Sequence, residues 1–274
     1  MDSAHLLQAV YSRKSFLCVG MDTDATKLPP TLGTGPEAML RFNAEIIAAT
    51  APYAVAYKFN LAFYECMGPA GWELLQQSLA LVPNDCLTIA DAKRGDIGNT
   101  ALMYAQAFFE QMDFDAITVA PYMGKDSVLP FLEYVDKWVF LLARTSNPGA
   151  DDFQLSTDAS GEPLYQRVVR QSMAWTPQMG TLGFVAGATR PQDLQAIRGI
   201  APQAWLLVPG VGAQGGDLHT VCQAGLRPDA GGLLINSSRS ILYASSGADF
   251  AEKAAHEALA LQQTMSAYIH AKRA

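Results

Sequence analysis

Eight short apolar runs, each followed by a stretch with helical periodicity, recur along this chain of 274 residues. The spacing predicts strands over 16–21, 54–58, 86–93, 115–120, 138–144, 182–186, 205–208 and 232–236. Helices are expected over 3–12, 36–50, 69–81, 98–112, 125–134, 163–175, 191–198, 217–224 and 248–270. Strands that alternate with helices of this length pair in parallel. Eight of them in about 250 residues is the count of a closed (β/α)8 TIM barrel. The alternative is an open doubly wound sheet, but no GxGxxG follows the first strand. The expected organisation is a single barrel domain over residues 1–274.

Composition narrows the function classes. The chain is 50% hydrophobic and only 16% charged, as suits a sheet wrapped in helices. A formal charge of −7 argues against a nucleic-acid or anionic-membrane partner, yet leaves room for a small anion met by local donors. Cys18, Cys66, Cys86 and Cys222 show no metal spacing, and two of them lie in apolar runs, so reduced thiols and a cytoplasmic protein are expected. Residues Met1–His5 carry no leader pattern, and no window nears about eighteen uninterrupted apolar residues, so no membrane span is expected.

Barrel active sites are built at the C-terminal ends of the strands. Those ends here carry Asp22, Lys58 with Asn60, Asp91 with Lys93, the Arg144-Thr145-Ser146-Asn147 run, the Gly-rich segment Pro209 to Asp217, and Asn236-Ser237-Ser238-Arg239. Period-two alternation puts Leu87, Ile89, Asp91 and Lys93 on one face, so an inward row ends in a carboxylate beside an ammonium. Such a pair is costly to bury unless well partnered. A plain salt bridge closing a strand end is the alternative. Gly95 breaks the strand, and Asp96 falls in a loop from which it can aim at another subunit.

Lys58, Asp91, Lys93 and Asp96 form an array of alternating charge. Unit charges about 4 Å apart interact by roughly 4 kcal/mol at an effective dielectric near 20, enough to hold each member ionised. A lysine between carboxylates is a proton donor, and the carboxylate beside it repels an anionic substrate group. Loss of CO2 relieves that repulsion and leaves negative charge on carbon beside the ammonium. The Gly-rich segment offers backbone N–H groups to an oxyanion ahead of a helix, and Arg239 adds a planar fork; a flexible loop with a surface arginine is the alternative. His5, His219, His256 and His270 stand away from the strand ends without zinc spacing, so no metal site is expected. Gln154 sits in a long polar loop, 147–161, which reads as a lid or as a simply mobile segment.

With these residues in view, the whole chain resembles the orotidine 5′-phosphate decarboxylase family in its longer bacterial form. The resemblance rests on Asp91-x-Lys93-x-x-Asp96-Ile97 and on Pro209-Gly-Val-Gly-Ala-Gln214-Gly-Gly-Asp217. It implies decarboxylation of orotidine 5′-phosphate to uridine 5′-phosphate, the last step of UMP biosynthesis, without metal or organic cofactor. Asp91 would sit against the substrate carboxylate, Lys93 would protonate C6, and Lys58 would orient Asp91 and hold a ribose hydroxyl. Asp22 and Asn60 would contact the ribose region, and Thr145 and Ser146 the pyrimidine edge. Gln214 and Arg239 would bind the phosphate, with Pro209 and Ser238 beside them. Asp96, Ile97 and Thr100 would reach into the neighbouring subunit of a homodimer, with Asp96 and Thr100 near the ribose. Shorter members have Gly where this chain has Ser238, which leaves the local backbone geometry open. Two other readings remain: a Mg2+-dependent sugar-phosphate lyase of the same superfamily, and a non-catalytic nucleotide-binding barrel.

Overall fold

The computed structural model describes residues 1–175, 180–212 and 215–273. Eight parallel strands close in sequence order into one barrel. They are β1 (Leu17–Gly20), β2 (Ala54–Asn60), β3 (Leu87–Arg94), β4 (Ala116–Val119), β5 (Trp138–Arg144), β6 (Thr181–Ala186), β7 (Leu206–Pro209) and β8 (Leu233–Ser237). Closure comes from β1 against β8, where Leu17, Cys18 and Val19 pair with Ile235, Asn236 and Ser237.

Around them run α1 (Ser3–Arg13), α2 (Pro36–Thr50), α3 (Ala62–Glu65), α4 (Pro69–Leu79), α5 (Gly98–Gln106) and α6 (Leu129–Leu132). The second half adds α7 (Asp151–Gln154), α8 (Leu164–Met173), α9 (Pro191–Ile200), α10 (Leu218–Gly225), α11 (Arg239–Leu242) and α12 (Phe250–Arg273). Several starts are legible in the residues. Asp2 caps α1 through the His5 N–H, Asp217 caps α10 through the Thr220 N–H, and α2, α4 and α9 begin on a proline, which needs no N–H partner there. α2 packs on α12, where the Phe42 and Phe250 rings stack 5.0 Å apart.

β1, β4 and β8 are buried at every position, because one face fills the barrel and the other lies under helices. In β2 the Tyr57 hydroxyl lies 2.9 Å from Thr50 Oγ1 of α2, so Tyr57 points outward. Alternation then turns Ala56 and Lys58 inward, which places the lysine at the mouth.

Three stretches differ from the sequence reading. The 125–134 segment holds two short turns of helix, and 147–161 holds a 3₁₀ turn followed by α7 where an irregular loop was expected. The 98–112 helix ends in a π-helical stretch, Ala107–Gln111. α3 and α11, each four residues long, are too short for a periodic signal.

Candidate active site

A cavity of about 420 Å³ opens at the C-terminal ends of the strands. Asp22, Lys58, Asn60, Asp91, Lys93, Thr145, Ser146, Pro209, Ser238 and Arg239, all singled out in the sequence, line it together. Asp96, Ile97 and Thr100 are not part of its wall. They lie just beyond β3: Asp96 accepts the Ile97 N–H at 2.8 Å, and Ile97 is 52% exposed. Gln214 lies outside the described residues.

Asp91 is the centre of the charged array. Lys58 Nζ donates to its Oδ2 at 2.9 Å, and Lys93 Nζ donates to its Oδ1 at 2.5 Å. Lys58 Nζ also reaches Asp22 Oδ1 at 3.4 Å. Burial pushes the Asp91 carboxyl upward, but the Lys58 and Lys93 ammoniums outweigh it and hold the group well below the usual carboxylate range. Burial likewise works against the Lys58 charge, and Asp22 and Asp91 override it, so Lys58 is held above its ordinary value. Asp91 and Lys58 therefore each favour the charged form of the other.

Asp91 and Lys93 meet on one face as alternation expects, but β3 does not run as a plain pleat to its end. Ala90 pairs with Ile117 and Arg94 with Val119, so four steps along β3 match two along β4. The surplus is taken up in a bulge, and Lys93 adopts a φ of 47°. Left-handed backbone at a residue with a Cβ is strained, and such strain gathers at functional sites. Past the bulge, Arg94 turns outward, pairs with Glu65 and lies over the Tyr104 ring.

Thr118, in β4, escaped the sequence reading although it lines the cavity. Its hydroxyl donates to Asp91 Oδ1 at 3.1 Å and accepts the Lys93 N–H at 2.9 Å. The available signal was a single hydroxyl within Ala116-Ile117-Thr118-Val119, on the same parity as Ala116. Asn236, at the end of β8, also lines the cavity and accepts from the buried Cys18 thiol at 3.7 Å.

Arg144 stands at a strand end yet does not face the cavity. Its buried guanidinium donates to Asp193 at 2.7 Å and to Asp151 at 2.6 Å. Gln154, read as a lid candidate, instead braces the cavity wall: its Oε1 accepts the Thr145 N–H at 2.9 Å, and its Nε2 donates to Thr145 Oγ1 at 2.9 Å.

The Gly-rich segment after β7 has Gly210, Gly212 and Gly215 at positive φ, as its tight turns require. The sequence offers the backbone of this segment to an oxyanion ahead of the following helix, and residues 213–214 of it lie outside the described residues. Asp217 occupies the N-cap of α10 and takes the Thr220 N–H at 2.8 Å, so that end is already supplied with negative charge. Arg239, the first residue of α11, stands on the cavity wall, exposed at the rim with no ion pair among the described residues. Ser238 before it has φ −118°, outside the left-handed region, so this position does not call for glycine. Among the described residues, no three His, Cys, Asp or Glu side chains gather to hold a metal ion, and no helix is long and apolar enough to cross a membrane.

A parallel barrel with a fixed charged array and a rim arginine at its C-terminal mouth is a (β/α)8-barrel enzyme architecture suited to a small anionic substrate. Comparison with known proteins narrows the class. The family model for "Orotidine 5'-phosphate decarboxylase / HUMPS family" matches residues 15–254. Orotidine 5′-phosphate decarboxylase of Porphyromonas gingivalis is 50% identical over 275 residues, 99% of each chain. Among solved structures, Leishmania donovani OMP decarboxylase is 38% identical with a TM-score of 0.82, covering 96% of this chain and 99% of that one. Leishmania donovani UMP synthase is 40% identical with a TM-score of 0.84; this chain spans 57% of its length. The chain belongs to the orotidine 5′-phosphate decarboxylase / HUMPS family.

Proposed function

We propose that the chain is an orotidine 5′-phosphate decarboxylase, a carboxy-lyase that releases CO2 from orotidine 5′-phosphate to give uridine 5′-phosphate in pyrimidine biosynthesis. The observation that carries this reading is the Lys58–Asp91–Lys93 array, poised at the mouth of a cavity that also presents Arg239.

The substrate phosphate binds Arg239, beside Pro209 and Ser238, and the pyrimidine edge meets Thr145 and Ser146. Asp22, Lys58 and Asn60 hold the ribose. This seats the substrate carboxylate against Asp91, whose two ammonium partners keep it ionised. The two anions repel, and the C6–carboxylate bond breaks with its electron pair left on C6. Lys93 Nζ delivers a proton to C6 and is reprotonated from solvent. No cofactor enters these steps; fixed charge and phosphate binding energy supply the catalysis. Asp96 and Thr100 act from the neighbouring subunit, so each site of the homodimer is completed by its partner, and each chain works as one barrel domain.

The test is the ultraviolet absorbance of orotidine 5′-phosphate incubated with the protein and EDTA, beside Lys93→Ala. A fall with the native protein alone supports the reading. Loss of activity in EDTA points instead to a metal-dependent sugar-phosphate lyase. A flat trace from folded protein overturns the decarboxylase.

A further inference from the structure

We propose that Thr118 is a positioning residue, whose hydroxyl locks the Asp91 carboxylate and the left-handed Lys93 backbone into one unit; this rests on the decarboxylase reading above. An ionised carboxylate can only accept, so the Thr118 hydrogen is directed at Asp91 Oδ1, 3.1 Å away. Its lone pair is directed at the Lys93 N–H, 2.9 Å away. One buried hydroxyl thus spends its donor on the carboxylate and an acceptor on the backbone of the proton donor.

Each half has a mechanical consequence. The terminal torsion of an aspartate has a broad minimum, so two ammoniums alone leave the carboxylate plane free to rock. A third donor, approaching from β4, fixes that plane. Lys93 has φ 47°, a strained conformation for a residue with a Cβ. Its N–H points across the bulge to β4, and Thr118 gives it an acceptor there. The root of the Lys93 side chain is therefore set by the same atom that orients Asp91. Carboxylate and proton donor must both meet the C6 region at once, and misplacement of either by about 1 Å is costly.

Thr118→Val keeps the shape and removes both hydrogen bonds; Thr118→Ser keeps both and removes a methyl group. Thr118→Ala provides a second hydroxyl-free variant should valine not fold. Each is compared with wild type for kcat and KM on orotidine 5′-phosphate. The expected result for valine or alanine is kcat about tenfold to a hundredfold lower with KM within about threefold. Serine is expected to stay within about threefold of wild type in both. Equal kcat for wild type and a folded hydroxyl-free variant overturns the proposal, as does a serine variant as slow as valine, which assigns the effect to packing. A wild type that fails to decarboxylate overturns the functional reading, and this proposal with it; a wild type that turns over beside an equally active valine variant overturns this proposal alone.

Discussion

The side chain of Ser238 fills the space beside Gly20 that a side chain at position 20 would need. A Cβ built on Gly20 would overlap Ser238 Oγ and lie 3.1 Å from Asn236 Oδ1. The bare backbone of β1 thus admits a side chain at the residue preceding Arg239. Gly20→Ala is expected to push Ser238 aside and disturb the start of α11, at a cost of about 1–3 kcal/mol from overpacking. With Arg239 in the proposed binding role, KM should rise more than kcat falls. Gly20→Ala combined with Ser238→Gly should recover most of the loss, and urea unfolding with steady-state kinetics on the double-mutant cycle measures the coupling.

Asp91→Asn removes the charge and keeps the shape. With the repelling carboxylate gone and Lys93 deprived of its partner, kcat should fall by roughly 10²–10³ while KM changes little. Stability should fall too, because Lys58 is buried. Its remaining partner, Asp22 at 3.4 Å, keeps the loss toward the lower end of the about 3–5 kcal/mol that breaking a buried pair costs. Unfolding and kinetics on one preparation check both.

The same array sets a pH dependence. The folded Asp91 value lies below the ordinary 3.8, so its contribution is present above that pH and is lost as pH falls toward the folded value. Lys58 lies above the ordinary 10.5, so its contribution is present below that pH and is lost as pH rises through the folded value. Unfolding free energy should therefore fall less steeply below about pH 4 in Asp91→Asn than in wild type. Lys58→Met should flatten the alkaline side. Parallel curves for wild type and both variants would contradict the assignment.

How far the residues announce all this varies along the chain. α2 and β5 begin and end where periodicity and proline place them, because each buries a long regular face. The charged array was legible because Asp22, Lys58, Asp91 and Lys93 each interrupt an apolar run at a strand end. Its geometry was not. Alternation assigns Asp91 and Lys93 to one face, where they do meet, but it does not reveal the bulge and the left-handed lysine of that strand end. Arg144 stood at a strand end like the others, but its direction depends on Asp151 and Asp193, which lie 7 and 49 residues away. Thr118 and the Gly20–Ser238 fit depend on register between strands, which a single strand's pattern does not contain.

Gln154 offers a test of the wall itself. It holds both the N–H and the hydroxyl of Thr145, a residue given to the pyrimidine edge. Gln154→Ala leaves the Thr145 N–H to water and its hydroxyl with Asn147 alone, and loosens the segment after β5. KM should rise about tenfold, with a smaller fall in kcat, since two hydrogen bonds of about 1 kcal/mol each are lost from a binding element. Binding of uridine 5′-phosphate, the product, should weaken in step. Unchanged product affinity would show that the segment does not need this brace.

A site shared between subunits would make the strongest demand. Asp96 and Thr100 lie outside the wall of their own cavity, beside the exposed side chains Ile97 and Met103. If Asp96 serves the neighbouring site, Lys93→Ala and Asp96→Ala disable different halves of the same composite site. Each variant alone is expected to be nearly inactive. Mixed and allowed to exchange subunits, half of the dimers carry one of each chain, and in these one site keeps both Lys93 and Asp96. Activity should return to about a quarter of wild type, the share that random pairing in a two-fold dimer gives. Sedimentation measures whether the chain is a dimer, and the recovery should follow the rate of exchange. A mixture as inactive as its parts, with exchange demonstrated, would mean that Asp96 acts within its own chain.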